Sequence, residues 1–148
     1  MSLFVDTGVF YAHADKDASR NDEAERALDA VTTGGWGTPV TSDFVLDEAV
    51  TLTRTRTGDV ERALAVGRHI LGEGPYPRTV ELLDVGSETV RAALSVLETY
   101  DDQVLSFTDA TTVALVEERG IDRVLSFDDD FDGVVDRLDP RDVDGEDH

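Results

Sequence analysis

The chain has 148 residues, 40% hydrophobic and 31% charged, with no cysteine. This length supports one domain with a sizeable core, and the missing cysteines exclude disulfides, thiolate zinc sites and thiol nucleophiles. Thirteen basic residues against 33 acidic ones give a net charge of −20, with Asp (22) outnumbering Glu (11) and Lys16 the only lysine.

No apolar run approaches the ~20 residues that span a bilayer. Met1 to Asp6 has neither the basic region nor the length of a signal peptide, so a soluble cytoplasmic protein is expected. At low ionic strength such a charge repels itself, whereas at ~1 M salt the Debye length is only ~3 Å. The acids run along the whole chain, which reads as adaptation to a salty cytoplasm. A surface made for a basic partner is the other reading.

Leu3-Phe4-Val5, closed by Asp6-Thr7-Gly8, has the form of a short buried strand. A helix is expected from about Asn21 to Thr33, stopped by Gly34-Gly35. Pro39-Val40-Thr41 reads as a brief strand, and Ser42 as the N-cap of a helix through about Thr57. Gly58-Asp59 breaks and recaps the chain into a helix ending near Gly72, and Gly74 to Pro77 is a loop. Thr79 to Leu83 reads as a strand, Ser87 as the cap of a helix to about Thr99, and Thr108 as the cap of another closed by Gly120. Arg123 to Phe127 and Val134 to Leu138 are the last expected strands. A domain over residues 1–140 is expected, with 141–148 a disordered acidic tail. Alternating strands and helices imply an α/β domain with a mainly parallel sheet.

Four carboxylates stand out by position. Asp6 ends the first strand and Asp128 follows the strand from Arg123 to Phe127; ligands of open α/β sheets gather beyond such carboxyl ends. Each is otherwise a turn aspartate bonding its own backbone. With Phe44 at zero, Glu48 falls at about 40°, on the shoulder of the apolar face, and Asp47 at about 300°, facing water. With Thr108 at zero, Asp109 at about 100° lies between Val116 and Val113, pointing inward from a first helical turn. A structural cap is its other reading. Inward acids without lysines suit Mg²⁺ or Mn²⁺, and such a cluster can serve phosphodiester hydrolysis. His13, His69 and His148 have no nucleophile context; His148 falls in the tail, and the other two read as surface residues.

The segments Phe4-Val5-Asp6-Thr7, Thr41 to Glu48, Ser106-Phe107-Thr108-Asp109-Ala110 and Val124 to Phe131 together resemble the PIN-domain ribonucleases, above all the small prokaryotic VapC-like toxins. The resemblance runs in order over about residues 3–138. It implies a three-layer α/β/α fold around the central sheet, with Asp6, Glu48, Asp109 and Asp128 as catalytic metal ligands for Mg²⁺ or Mn²⁺. It further implies Thr7 and Ser126 as small hydroxyl residues beside the site and Asp130 as an assisting acid. RNA cut to 3′-hydroxyl and 5′-phosphate ends, an antitoxin partner and a homodimer are likewise what the resemblance implies. The basic residue usual in the last motif is replaced by Asp129.

A calcium-loop reading of Asp128-x-Asp130-x-Asp132-Gly133 with Asp139 lacks the flanking helices such loops need. RNA is a polyanion that a charge of −20 repels, but bound divalent cations invert the local field. Residues 49–72 carry Arg54, Arg56, Arg62 and Arg68 against Asp59 and Glu61, four cations against two acids and hence net +2. This island is an RNA wall, a partner surface or an ordinary solvated helix face. A module that binds RNA or protein without cutting is the alternative to a nuclease. A phosphatase-like hydrolase built on Asp6 is weakened because Thr7-Gly8 supplies no second acid two residues on.

Overall fold

The computed structural model describes residues 1–143. Its centre is a five-stranded sheet: β1 (Ser2–Val5), β2 (Thr38–Ser42), β3 (Glu81–Leu83), β4 (Arg123–Leu125) and β5 (Arg137–Leu138), in the order β3-β2-β1-β4-β5. Every pairing is parallel, with Phe4 opposite Val40 on one side and Val124 on the other. Strands covered on both faces read as continuous apolar runs; Leu3, Phe4, Val5, Val124 and Leu125 are accordingly buried.

Six helices cover the sheet: α1 (Thr7–Ala14), α2 (Asn21–Thr32), α3 (Asp43–Thr57), α4 (Val60–Leu71), α5 (Ser87–Thr99) and α6 (Phe107–Arg119). Helices α1 to α4 connect β1, β2 and β3, and right-handed crossovers, the rule for parallel strands, put them on one face. The same rule sends α5 and α6 to the other as the chain returns to β4. The three-layer α/β/α arrangement expected from the sequence is the one observed. Its strand order reverses at β1, so the crevice between the exits of β1 and β4 is a topological switch point, where ligands of such sheets bind.

Local chemistry fixes the helices around that crevice. Ser42 caps α3 by accepting from the Val45 N–H at 3.1 Å, and Gly58 closes the helix at φ 66°. The cap of α6 lies two residues earlier than Thr108: Ser106 accepts from the Asp109 N–H, and the Asp109 carboxylate accepts from the Ser106 N–H, both at 3.0 Å. The reciprocal bond, which an isolated reading of Thr108 overlooks, favours Ser106. Likewise Gly86, not Ser87, precedes α5 and gives no side-chain cap. Helix α1 was not expected; four of its eight residues are buried, and it shows no clean polar face to betray its period. The later strands are shorter than expected, β4 ending at Leu125 and β5 holding only Arg137 and Leu138.

Pro140–Asp142 form a single 3₁₀ turn and Val143 is buried in the core. Residues 144–148 of the expected acidic tail lie outside the described residues.

Arg137 ties the exits of β4 and β5 together. Its guanidinium donates to both Asp132 oxygens at 2.7 and 3.1 Å and to the Ser126 carbonyl at 3.1 Å, with Asp139 at 3.5 Å. The side chain is only 12% exposed, so truncation strands acceptors in a half-dry environment. Arg137→Met is expected to cost roughly 2 kcal/mol, read as a lower urea midpoint at fixed salt; an unchanged midpoint would rule out this brace.

Candidate active site

A cleft of about 780 Å³ opens at the switch point, lined by Asp6, Thr7, Gly8, Glu48, Ser106, Asp109, Ser126, Asp128 and Asp129 among others. All four singled-out acids therefore share one cavity, each brought by a different element. Asp6 sits between β1 and α1 without capping that helix, and its Oδ2 instead accepts from the Ser126 hydroxyl at 2.7 Å. Glu48 projects from α3 and is half-buried, while its neighbour Asp47 is exposed, as the helical phase requires. Asp109 commits Oδ2 to the α6 cap. It thus satisfies both readings of the sequence, cap and inward acid.

Ser126 joins the two strand exits. Its hydroxyl donates to Asp6 and accepts from the Asp128 N–H at 3.0 Å, and Asp128 in turn accepts from the Asp130 N–H at 2.9 Å. Asp130 thus supports Asp128 through its backbone, while Asp129 lines the cleft in its place. The carboxylates of Asp128, Asp129 and Asp130 also come within 4.8 Å of one another.

The electrostatics are strained. Asp6 is 6% exposed and its carboxyl is pushed up to about 7, first by burial and then by the negative charge of Asp109. Burial likewise raises Asp109 to about 6, with Asp128 and Glu48 adding repulsion. Asp6 Oδ1 and Thr7 Oγ1 are buried without a hydrogen-bond partner. Orphaned oxygens beside unpaired carboxylates fit a hard divalent cation, which takes oxygen ligands and relieves the repulsion.

Two arginines of the cleft, Arg20 and Arg141, escaped the sequence reading because both lie off the regular helices, where no periodicity reports direction. The expected island does not reach the acids: Arg54, Arg56, Arg62 and Arg68 are exposed, and none of them lines this cleft. Arg62 is held near Asp15 and Asp59, at 3.7 and 3.6 Å. His13 and His69 are not plain surface residues; both are half-buried with ring centroids 5.1 Å apart, and Tyr76 lies beside His69. The calcium-loop reading fails: β4 replaces the entering helix, Arg137 takes Asp132, and Arg141 takes Asp139.

A parallel α/β sandwich with acids collected at its switch point defines a class of metal-site folds, and comparison with known proteins names the family. The PIN domain model matches residues 3–136, so the chain belongs to the PIN-domain family. The 23S rRNA-specific endonuclease VapC20 of Mycobacterium tuberculosis is 29% identical over 133 residues, covering 87% of this chain and 91% of that protein. The crystal structure of VapC20, described as a sarcin-ricin loop cleaving toxin, superposes with a TM-score of 0.76 at 27% identity, over 88% of this chain and 93% of that one. VapBC2 of Rickettsia felis bound to a promoter DNA fragment gives a TM-score of 0.66 at 12% identity, covering 93% of this chain and 98% of that one. A toxin–antitoxin complex from Klebsiella pneumoniae gives 0.63 at 16%, covering 97% and 100%. These last two likenesses concern the fold alone.

The raised carboxyls make stability depend on pH with a definite sign. A folded-state pKa above the unfolded value near 3.8 adds stability below that value and loses it as pH rises through about 6 for Asp109 and about 7 for Asp6. In chelator, the melting temperature of Asp6→Asn should therefore gain on wild type between about pH 4 and pH 7. Parallel curves for the two proteins across that window would contradict the strain assigned to Asp6.

Proposed function

We propose that this chain is a divalent-metal-dependent endoribonuclease and the toxin of a type II toxin–antitoxin pair. The observation that carries the reading is the buried Asp6 with its unpartnered Oδ1, at a strand exit shared with three more acids. Asp6, Glu48, Asp109 and Asp128 would hold Mg²⁺ or Mn²⁺, whose oxygen preference matches this donor set. When bound, the metal would supply Lewis-acid stabilisation at the phosphodiester and an acidified water.

The remaining work belongs to the chain. Ser126 orients Asp6 by its hydrogen bond and restrains Asp128 through the backbone. The α6 capping box fixes Asp109, and α3 carries Glu48 on its half-buried shoulder. Thr7, with its hydroxyl buried and unpartnered beside Asp6, completes the polar wall. The products would be 3′-hydroxyl and 5′-phosphate ends. The 23S rRNA named for VapC20 is the first substrate to try. A module that binds without cutting leaves the strained acids unexplained, because nothing in binding alone requires them.

An antitoxin and a second copy of the chain are the proposed protein partners. Exposed Val60, Leu64 and Leu71 on α4 support an apolar contact on that helix. Among the described residues, no helix is long and apolar enough to cross a membrane. The dispersed acids support a high-salt working environment, so assays belong in molar salt.

Glu48→Gln should lower RNA cleavage by at least about a hundredfold, the scale of losing one group that acts on transition-state charge. Asp47→Asn should stay within a few-fold of wild type. Mg²⁺ or Mn²⁺ should raise the melting temperature of wild type and not of Asp6→Asn, as ligand linkage requires. Equal metal responses in the two proteins, or a reversed ranking of the α3 variants, would overturn the site.

A further inference from the structure

A second cavity of about 420 Å³ adjoins the acid cleft, and the two share Gly8, Arg20 and Leu52 in their linings. The second is completed by Tyr11, Ala12, Ala18, Ser19 and Arg56. In a chain with 33 acidic residues, its lining contains two arginines and no carboxylate. Both arginines are laid over aromatic rings. The Arg20 guanidinium carbon is 4.9 Å from the Phe127 centroid, and that of Arg56 is 5.0 Å from the Tyr11 centroid. Tyr11 is itself fixed by donating to Asp15 at 2.6 Å.

Stacking holds a guanidinium by its face and leaves edge donors that match two phosphate oxygens; Arg56 also interacts with the Tyr11 hydroxyl and feels the charge of Asp15. Among the described residues, neither Arg20 nor Arg56 has a carboxylate within 4.0 Å, whereas Arg137 and Arg141 on the other side are bonded to Asp132 and Asp139. Charge-assisted bonds from such a fork are among the strongest phosphate contacts a protein makes.

We propose that this side cavity seats the nucleotide next to the scissile bond of single-stranded RNA, with Arg20 and Arg56 gripping the two phosphates that flank it. The inference rests on the nuclease reading and adds the substrate path to it. A volume of about 420 Å³ lies in the range that holds one small ligand, which suits a single unpaired nucleotide. Arg20 lines both cavities and therefore holds the phosphate at their junction; Arg56 lines only the second and holds the next. Gly8 leaves the passage open, since a Cβ built there meets nothing within 4 Å.

The test uses the full chain and a fluorescein-labelled single-stranded oligoribonucleotide, over salt concentrations at which melting curves show every protein folded. Arg56→Ser should raise KM about tenfold with kcat within threefold, and lower the log–log salt slope of binding by about 0.7. Arg20→Ser should raise KM and also lower kcat, because it faces both cavities. Gly8→Leu retains both arginines but fills the shared passage, and should raise KM as well. Arg91→Ser, an exposed change on α5 away from both cavities, should match wild type. Unchanged KM in both Arg56→Ser and Gly8→Leu would overturn the path while leaving the nuclease intact. If wild type cuts no RNA, the nuclease reading fails and fluorescence anisotropy with the same oligonucleotide decides the groove. A tenfold weaker Arg56→Ser supports it, and equal affinity removes it.

Discussion

Asp6 lies where the parallel sheet changes direction, and the Ser126 hydroxyl on the neighbouring strand exit holds its carboxylate at 2.7 Å. That bond crosses 120 residues of sequence, and the rest of the site is arranged around it. Ser126 also accepts from the backbone of Asp128, while Arg137 grips the Ser126 carbonyl. The loop after β4 is thereby wired to β5, and the acids at two strand exits keep a common orientation. From the opposite side the α6 cap fixes Asp109, so its negative charge raises the Asp6 carboxyl further. Rigid supports are needed because like charges otherwise separate.

The global and local fields of this molecule point in opposite directions. A net charge of −20 acts over the Debye length, ~10 Å at 0.1 M salt and ~3 Å at 1 M. In molar salt that repulsion reaches hardly beyond contact, so short-range partners decide what binds. Cations that matter must then touch the anion they hold. Among the described residues, seven ion pairs tie Lys16, Arg62, Arg123, Arg137 and Arg141 to carboxylates, whereas Arg20 and Arg56 rest on aromatic rings. An aromatic ring orients a guanidinium without neutralising it.

Much of the site was legible because it lies on periodic elements or at their ends. Leu3-Phe4-Val5 announces β1, and so places Asp6 at its exit; 100° per residue separates Glu48 from Asp47. Helix α1 was hidden because its eight residues bury one side without a contrasting polar stripe. The Ser106 cap was missed because a cap is a reciprocal pair, and a single threonine two residues on looked sufficient. Arg20 precedes α2 and Arg141 sits in the single 3₁₀ turn Pro140–Asp142, and neither position has a helical period to report where its side chain points. The four arginines of residues 49–72 were visible as an excess of charge, but composition says nothing of facing. Of the four, Arg56 lines the cavity that adjoins the acid cleft.

Asp139 bears on the same balance from the edge of the cleft. Arg141 lines the acid cavity without an ion pair to any of the four acids. Asp139 instead accepts from its Nε and Nη2, the shorter bond at 2.7 Å, and is itself lowered to about 2, first by the Arg141 bond. The paired guanidinium keeps its charge, and burial leads the causes that raise Asp6 to about 7 and Asp109 to about 6. Arg20 lines the same cleft and is held over Phe127 at 4.9 Å, so both of the cleft's arginines are engaged away from the four acids, whose mutual repulsion persists.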